Sequence, residues 1–166
     1  MSATLTSHVS RRASSAQGSG MLRAYIQIFP HIAQPLKQIK KRILQNTSIN
    51  NNRNTLGVCG HAATCFGAVC GLLGVDLKTS SSMFLYSTTR DMINAAVRMN
   101  LVGPLQAGGI VNRICSHLDQ FLDQAIVDHR LDGETVLHPL SSHQISPLVE
   151  ILANAHDRLY TRLFNS

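Results

Sequence analysis

Eight histidines and four cysteines are the residues of this 166-residue chain best suited to bind a metal or act as nucleophiles. Metal sites on helices need ligands about one turn apart, as in HxxxH or HExxH, and neither spacing occurs. His117, His129, His138, His143 and His156 are scattered among expected loops and helix faces, so they read as surface or hydrogen-bonded residues. Cys59 and His61, two apart ahead of a helix, have the chemistry to share a soft metal, but a lone pair is a weak signal. Cys59, Cys65, Cys70 and Cys115 contain no CxxC pair and fit no zinc pattern; they read as small hydrophobes in a reducing, cytoplasmic compartment.

Other catalytic signatures are missing. The stretch VCGLLGV has glycines but neither a phosphate-loop lysine nor a preceding strand. Ser80, Ser81 and Ser82 are not enclosed by a nucleophile-elbow pattern. The expectation is a protein that is not an enzyme and holds no cofactor of its own.

The elements that would position these residues all read as helices. Leu5, Val9 and Ala13 begin a helix reaching Phe29, with Gly18 and Gly20 in its middle. Either the helix breaks there or another backbone packs close. Pro30 stops it, and a second helix is expected from about Gln34 to Gln45, with Pro35 in its first turn and Leu36, Ile39 and Ile43 along one stripe. Residues 46–55, NTSINNNRNT, read as a flexible polar surface loop. His61 to Leu73 then reads as a short buried helix whose Ala62, Ala63, Gly67, Ala68 and Gly71 admit close neighbours, with Gly74 as its left-handed cap. Ser80 to Met99 follows, ended by Gly103. Pro104 opens the next helix through Ile110, Ile114, Leu118 and Leu122; 131–144 read as a connecting loop. Ser146 and Pro147 start the last helix, Leu148 to about Phe164. The fold class is all-α, a compact helical bundle in a single domain, with a core of aliphatic and small residues because aromatics are only 5% and Trp is absent.

The net charge of +6 is unevenly spread: residues 1–75 carry eight Lys or Arg and no acid, while residues 76–166 carry seven against nine acids. Lys37, Lys40, Lys41 and Arg42 crowd one expected helix, and such a run reads first as a solvated face. The alternative is a basic helical protein that binds nucleic acid or a membrane surface, but the acidic second half does not continue the stripe. The acid-free, Ser-rich start also has the composition of an organelle transit peptide. The longest apolar stretch, Cys59 to Val75, falls short of the roughly 20 residues a bilayer requires.

Three stretches together resemble the UreF family of urease accessory proteins. GHAATCFGAVCGLLGV is similar to the family pattern of a His followed five residues later by Phe-Gly and a small-residue helix, which here places His61, Phe66 and Gly67. AAVRMNLVGPLQAG is similar to the family's Ala-Ala-x-Arg segment with a Gly-Pro turn, placing Arg98 and Gly103. HDRLYTRLFNS resembles the family's C-terminal His-x-x-x-Tyr-Ser-Arg-Leu-Phe-x-Ser, placing His156, Arg158, Tyr160, Arg162, Leu163, Phe164 and Ser166. SRRASSAQGSGMLRAY, residues 10–25, also resembles an internal UreF helix, which argues against a cleaved leader. Ala63 and Thr64 depart from a usual Pro, and Thr161 from a usual Ser. The family's preceding helices, with their Gly-Gly-Phe-x-x-Ser-x-Gly-Leu-Glu type motif, have no counterpart here, so the chain is expected to be an N-terminally incomplete member.

The resemblance implies a UreF-like scaffold without chemistry of its own. It would dimerise, bind a UreD-type partner (also called UreH), and recruit a UreG-type GTPase to apo-urease, with nickel handled by the complex rather than held by this chain. No nucleic acid and no membrane belong to that picture. The closing segment then reads as the docking element, with Tyr160, Leu163 and Phe164 as apolar anchors and Arg158 and Arg162 as charge-assisted donors. His61, Phe66, Gly67, Arg98, Gly103 and His156 are expected to be structural or interfacial.

Overall fold

The computed structural model describes residues 5, 7–49, 60–131 and 147–155. These are helical apart from short joints, and no strand occurs among them. The helices are α1 (His8–Ile28), α2 (Ala33–Ile49), α3 (Ala62–Leu72), α4 (Leu77–Arg98), α5 (Pro104–Leu131) and α6 (Pro147–Ala155). Contacts divide the chain into two compact units, Met1–Leu73 with His138–Ser166, and Gly74–Leu137.

The first unit is built on α1. Ser7 caps it by accepting a hydrogen bond from the Ser10 amide at 3.4 Å. It ends where Pro30 cannot continue the ladder, and Pro30–Ile32 turn through one 3-10 turn into α2. The turn lets Leu22 of α1, Ile32 and Leu36 of α2 meet Cys65 and Val69 of α3 in one buried cluster, flanked by Tyr25, Ile26, Phe29, Ile39 and Ile43. The rings of Tyr25 and Phe29 stack at 5.9 Å. The stripe expected on α2 is thus the one that packs. The helix itself runs to Ile49, four residues beyond the expected end at Gln45 and into the expected loop, because Asn46–Ile49 contain no Gly or Pro to stop it. The remainder of the expected loop, residues 50–55, lies outside the described residues.

Gly18 does not break α1. A Cβ there would overlap the Gly60 carbonyl oxygen, so of the two expectations for this glycine the close backbone approach is the one realised. On its other side Gly60 is covered by Ile43, whose Cδ1 would lie 3.0 Å from a Cβ built on it. Gly67 and Gly71, expected to admit neighbouring helices, instead face open space. The buried side of α3 is Ala62, Cys65, Val69 and Cys70.

The second unit is a helical hairpin. Asp76 caps α4 by accepting from the Thr79 amide at 2.9 Å, which starts the helix three residues before the expected Ser80. The left-handed caps are Gly74 (φ 74°), as expected, and Asn100 (φ 58°). α5 runs antiparallel to α4, since Lys78 in the first turn of α4 reaches Asp123 late in α5 at 2.6 Å. Two helices alone bury little. Among the described residues of this unit Ser80, Ala107 and Leu122 are buried, while Leu77, Met83, Tyr86, Met92, Leu101, Leu105 and Phe121 stay exposed.

Candidate functional site

His61 stands at the N-cap of α3 with its side chain 2% exposed. It makes no capping bond to its own helix; the Ala62 amide donates instead to the Ser14 hydroxyl of α1 at 3.2 Å. The Gly18–Gly60 contact permits this, because a side chain on Gly18 would hold the start of α3 away from α1, while one on Gly60 would press on Ile43 of α2. Burial, then nearby positive charge including Arg11, pushes the His61 imidazole below the usual histidine range. A neutral ring wedged at a helix start is a packing element, and the next thiol among the described residues, Cys65 one turn on, is raised by burial and so less nucleophilic than a free one. Cys59, the other half of the expected soft pair, lies outside the described residues. Among the described residues no three His, Cys, Asp or Glu side chains gather as metal ligands.

Phe66 is half-buried on α3 and Gly67 is exposed. These two and His61 therefore share a helix but not a face. In the other unit, Arg98 is exposed in the last turn of α4, where its Nε donates to the Asn94 carbonyl oxygen at 3.5 Å, as expected for a cation at a helix C-terminus. Gly103 takes a role different from the tight turn expected of it. Its φ is not left-handed, a Cβ would meet nothing closer than Gln106 Oε1 at 3.8 Å, and its carbonyl accepts the first helical bond of α5 from Ala107 at 2.9 Å. Gly103 is the N-cap position ahead of Pro104. The strained turn residue is Asn100, after which the Leu101 amide closes back on the Ala96 carbonyl at 3.0 Å.

The closing segment, His156 with Arg158, Tyr160, Arg162, Leu163, Phe164 and Ser166, lies outside the described residues. The helix leading into it is described. α6 packs on α1, with His8 Nδ1 3.1 Å from Asn154 Oδ1, yet Leu148, Val149, Ile151 and Leu152 are each 63–72% exposed. Sequence reasoning named α6 as a helix but missed this exposed row. Its signal was present: in PLVEILANA the apolar residues extend around more of the helix than one core-facing stripe.

Sequence reasoning also missed a shallow groove between α4 and α5, about 270 Å³, lined by Ser82, Met83, Tyr86, Cys115, Leu118 and Asp119. Its lining has no paired acid and base in catalytic arrangement. No described helix is long and apolar enough to cross a membrane.

Comparison with known proteins gives these surfaces a context. A family model described as UreF matches residues 1–115. The chain is 36% identical over 166 residues to Urease accessory protein F of Arabidopsis thaliana, covering all of this chain and 61% of that one. It is 32% identical over 164 residues to Urease accessory protein F of Oryza sativa subsp. indica, covering 99% of this chain and 56% of the relative. Urease accessory protein 6 of Cryptococcus neoformans is 26% identical over 194 residues, with 98% and 60% covered. The chain thus spans about three fifths of the length of these curated relatives. No solved structure matches it significantly.

Proposed function

The chain belongs to the UreF family, and from that premise we propose that it is a urease accessory protein acting as a non-catalytic scaffold. In this reading it binds a UreD-type accessory protein and brings a UreG-type GTPase to apo-urease for nickel insertion, as a cytoplasmic homodimer holding no nickel of its own. The observation that carries the reading is α6. A helix secured to α1 at one side and bearing Leu148, Val149, Ile151 and Leu152 outward has the character of a docking surface, and it leads into the expected anchors Tyr160, Leu163 and Phe164.

The test is a reconstitution. Tagged full chain is mixed with a UreD-type protein and recovered, and then added with that partner, a UreG-type GTPase, nickel and GTP to apo-urease. Co-recovery of the partner and a rise in urea hydrolysis above the mixture lacking this chain are expected. Absence of both sinks the proposal, as does urea hydrolysis by the chain alone.

A further inference from the structure

The cations of α2 are arranged along a line. Lys37, Lys40 and Lys41 stand at i, i+3 and i+4, and Leu44 follows at i+7, so the four share one side of the helix. Lys37, Lys41 and Leu44 are exposed, Leu44 by 58%, and Lys40 is half-buried. The adjoining stripe, Leu36, Ile39 and Ile43, is packed in the core, which leaves Lys40 half-buried at its border and Lys37, Lys41 and Leu44 on the solvent flank.

Nothing in the neighbouring sequence offsets this charge. α2 contains no Asp or Glu, and neither do α1, the 3-10 turn or α3; the acid in the remaining described helix of this unit is Glu150 of α6. Like charges three and four residues apart weaken a helix, and a solvated helix normally interleaves acids to relieve them. A helix that omits them keeps an unneutralised positive field over an exposed leucine.

We propose that the Lys37–Lys40–Lys41–Leu44 face of α2 docks an acidic protein surface, one in which carboxylates surround an apolar spot that receives Leu44. Charge complementarity fixes the sign of the partner, and the leucine fixes its class. A phosphate backbone gains nothing from an exposed aliphatic side chain, and the stripe holds no aromatic on which a base could stack. An anionic bilayer requires an apolar face to insert, and the apolar face of α2 is already in the core. An interface with a protein uses both features, cations for orientation and an aliphatic residue excluded from water at the centre. This inference rests on α2 and the acid-free helices beside it and does not depend on the urease reading.

The experiment uses the full chain and a fluorescein-labelled helical peptide carrying one Leu ringed by Glu, followed by anisotropy. Controls are the same peptide with Gln for Glu, a DNA duplex of equal charge, and vesicles of phosphatidylserine and phosphatidylcholine. The Glu peptide is expected to bind and the Gln peptide not, and raising salt from about 50 mM to about 300 mM is expected to weaken binding without any mutation. Lys37→Gln with Lys41→Gln, both exposed positions, and separately Leu44→Ser, are each expected to lower affinity about fivefold with circular dichroism unchanged. Arg90→Gln in the other unit is expected to change nothing. The proposal is overturned if the duplex or the vesicles bind more tightly than the peptide, if Leu44→Ser has no effect, or if Arg90→Gln weakens binding as much as the lysine changes.

Discussion

Gly18 of α1 lies so close beneath Gly60 that its α-hydrogen occupies the place where any other residue would put a carbon against the Gly60 carbonyl oxygen. Two residues on, Gly20 has nothing within 4 Å of the same position. The pair separates packing from propensity within one helix. Gly20→Ala is expected to stabilise the protein by about 0.5–1 kcal/mol, the usual gain in a helix interior. Gly18→Ala has the same propensity gain, but the obstruction is backbone and cannot swing aside, so a net loss of about 2 kcal/mol is expected. Denaturant midpoints of the two variants check this, and equal shifts would mean that α1 and α3 are not in contact here.

The same approach buries His61, and that has a consequence in pH. Its folded-state pKa is held below the unfolded value by desolvation first and by neighbouring positive charge second. The unfolded chain therefore binds the proton more readily. The contribution of a neutral His61 is complete above about pH 6.5 and declines as pH falls through that value toward the folded pKa. Compared across pH 8 to pH 5, the melting-temperature advantage of the wild type over His61→Gln is expected to shrink on the acid side. An advantage that grew with acid would place a carboxylate beside the ring.

How much of this was readable in advance depended on whether the signal was local. Pro30, Pro104, Pro147 and Gly74 act on their own backbone, and the elements they bound stand where the sequence places them. Asp76 is equally local: an Asp ahead of Leu77–Thr79 is a helix-start signal, and it begins α4 before the expected Ser80. Contacts across helices were not readable. Gly18, Gly67 and Gly71 look alike in sequence, and only the position of Gly60 decides which one needs to be glycine. Exposure was hidden for a related reason. The apolar rows of α4, α5 and α6 have the composition of core stripes, and sequence periodicity cannot count how many neighbours will arrive to cover them.

The turn between α4 and α5 gives a third test. Asn100 has φ 58°, where Asn is tolerated and most side chains are strained, while Gly103 adopts an ordinary conformation with room for a Cβ. Asn100→Ala is expected to cost about 1 kcal/mol and Asn100→Gly to be neutral or slightly stabilising. Gly103→Ala is expected to cost only a few tenths of a kcal/mol, since glycine is a middling N-cap. A reversal of that order in thermal melts would return the turn to Gly103.

The final prediction concerns the chain end. α6 is secured to α1 through packing and the His8–Asn154 contact, both of which precede residue 156. Removing Leu159–Ser166 should therefore leave the described helices in place, and the ellipticity of the truncated chain should fall only by the residues lost. Partner capture is a different matter. If Tyr160 and Phe164 are the anchors of a UreD-type interface, each contributes about 2 kcal/mol, and losing both lowers affinity by roughly a thousandfold. Tyr160→Ala with Phe164→Ala is thus expected to abolish recovery of the partner at micromolar concentration, while Leu148→Ser with Leu152→Ser on exposed α6 weakens it without unfolding the chain. Capture at full strength by the truncated chain would move the interface away from the C-terminal segment. A truncated chain that unfolds would make that segment part of the core, and the two outcomes are told apart by circular dichroism on the same sample.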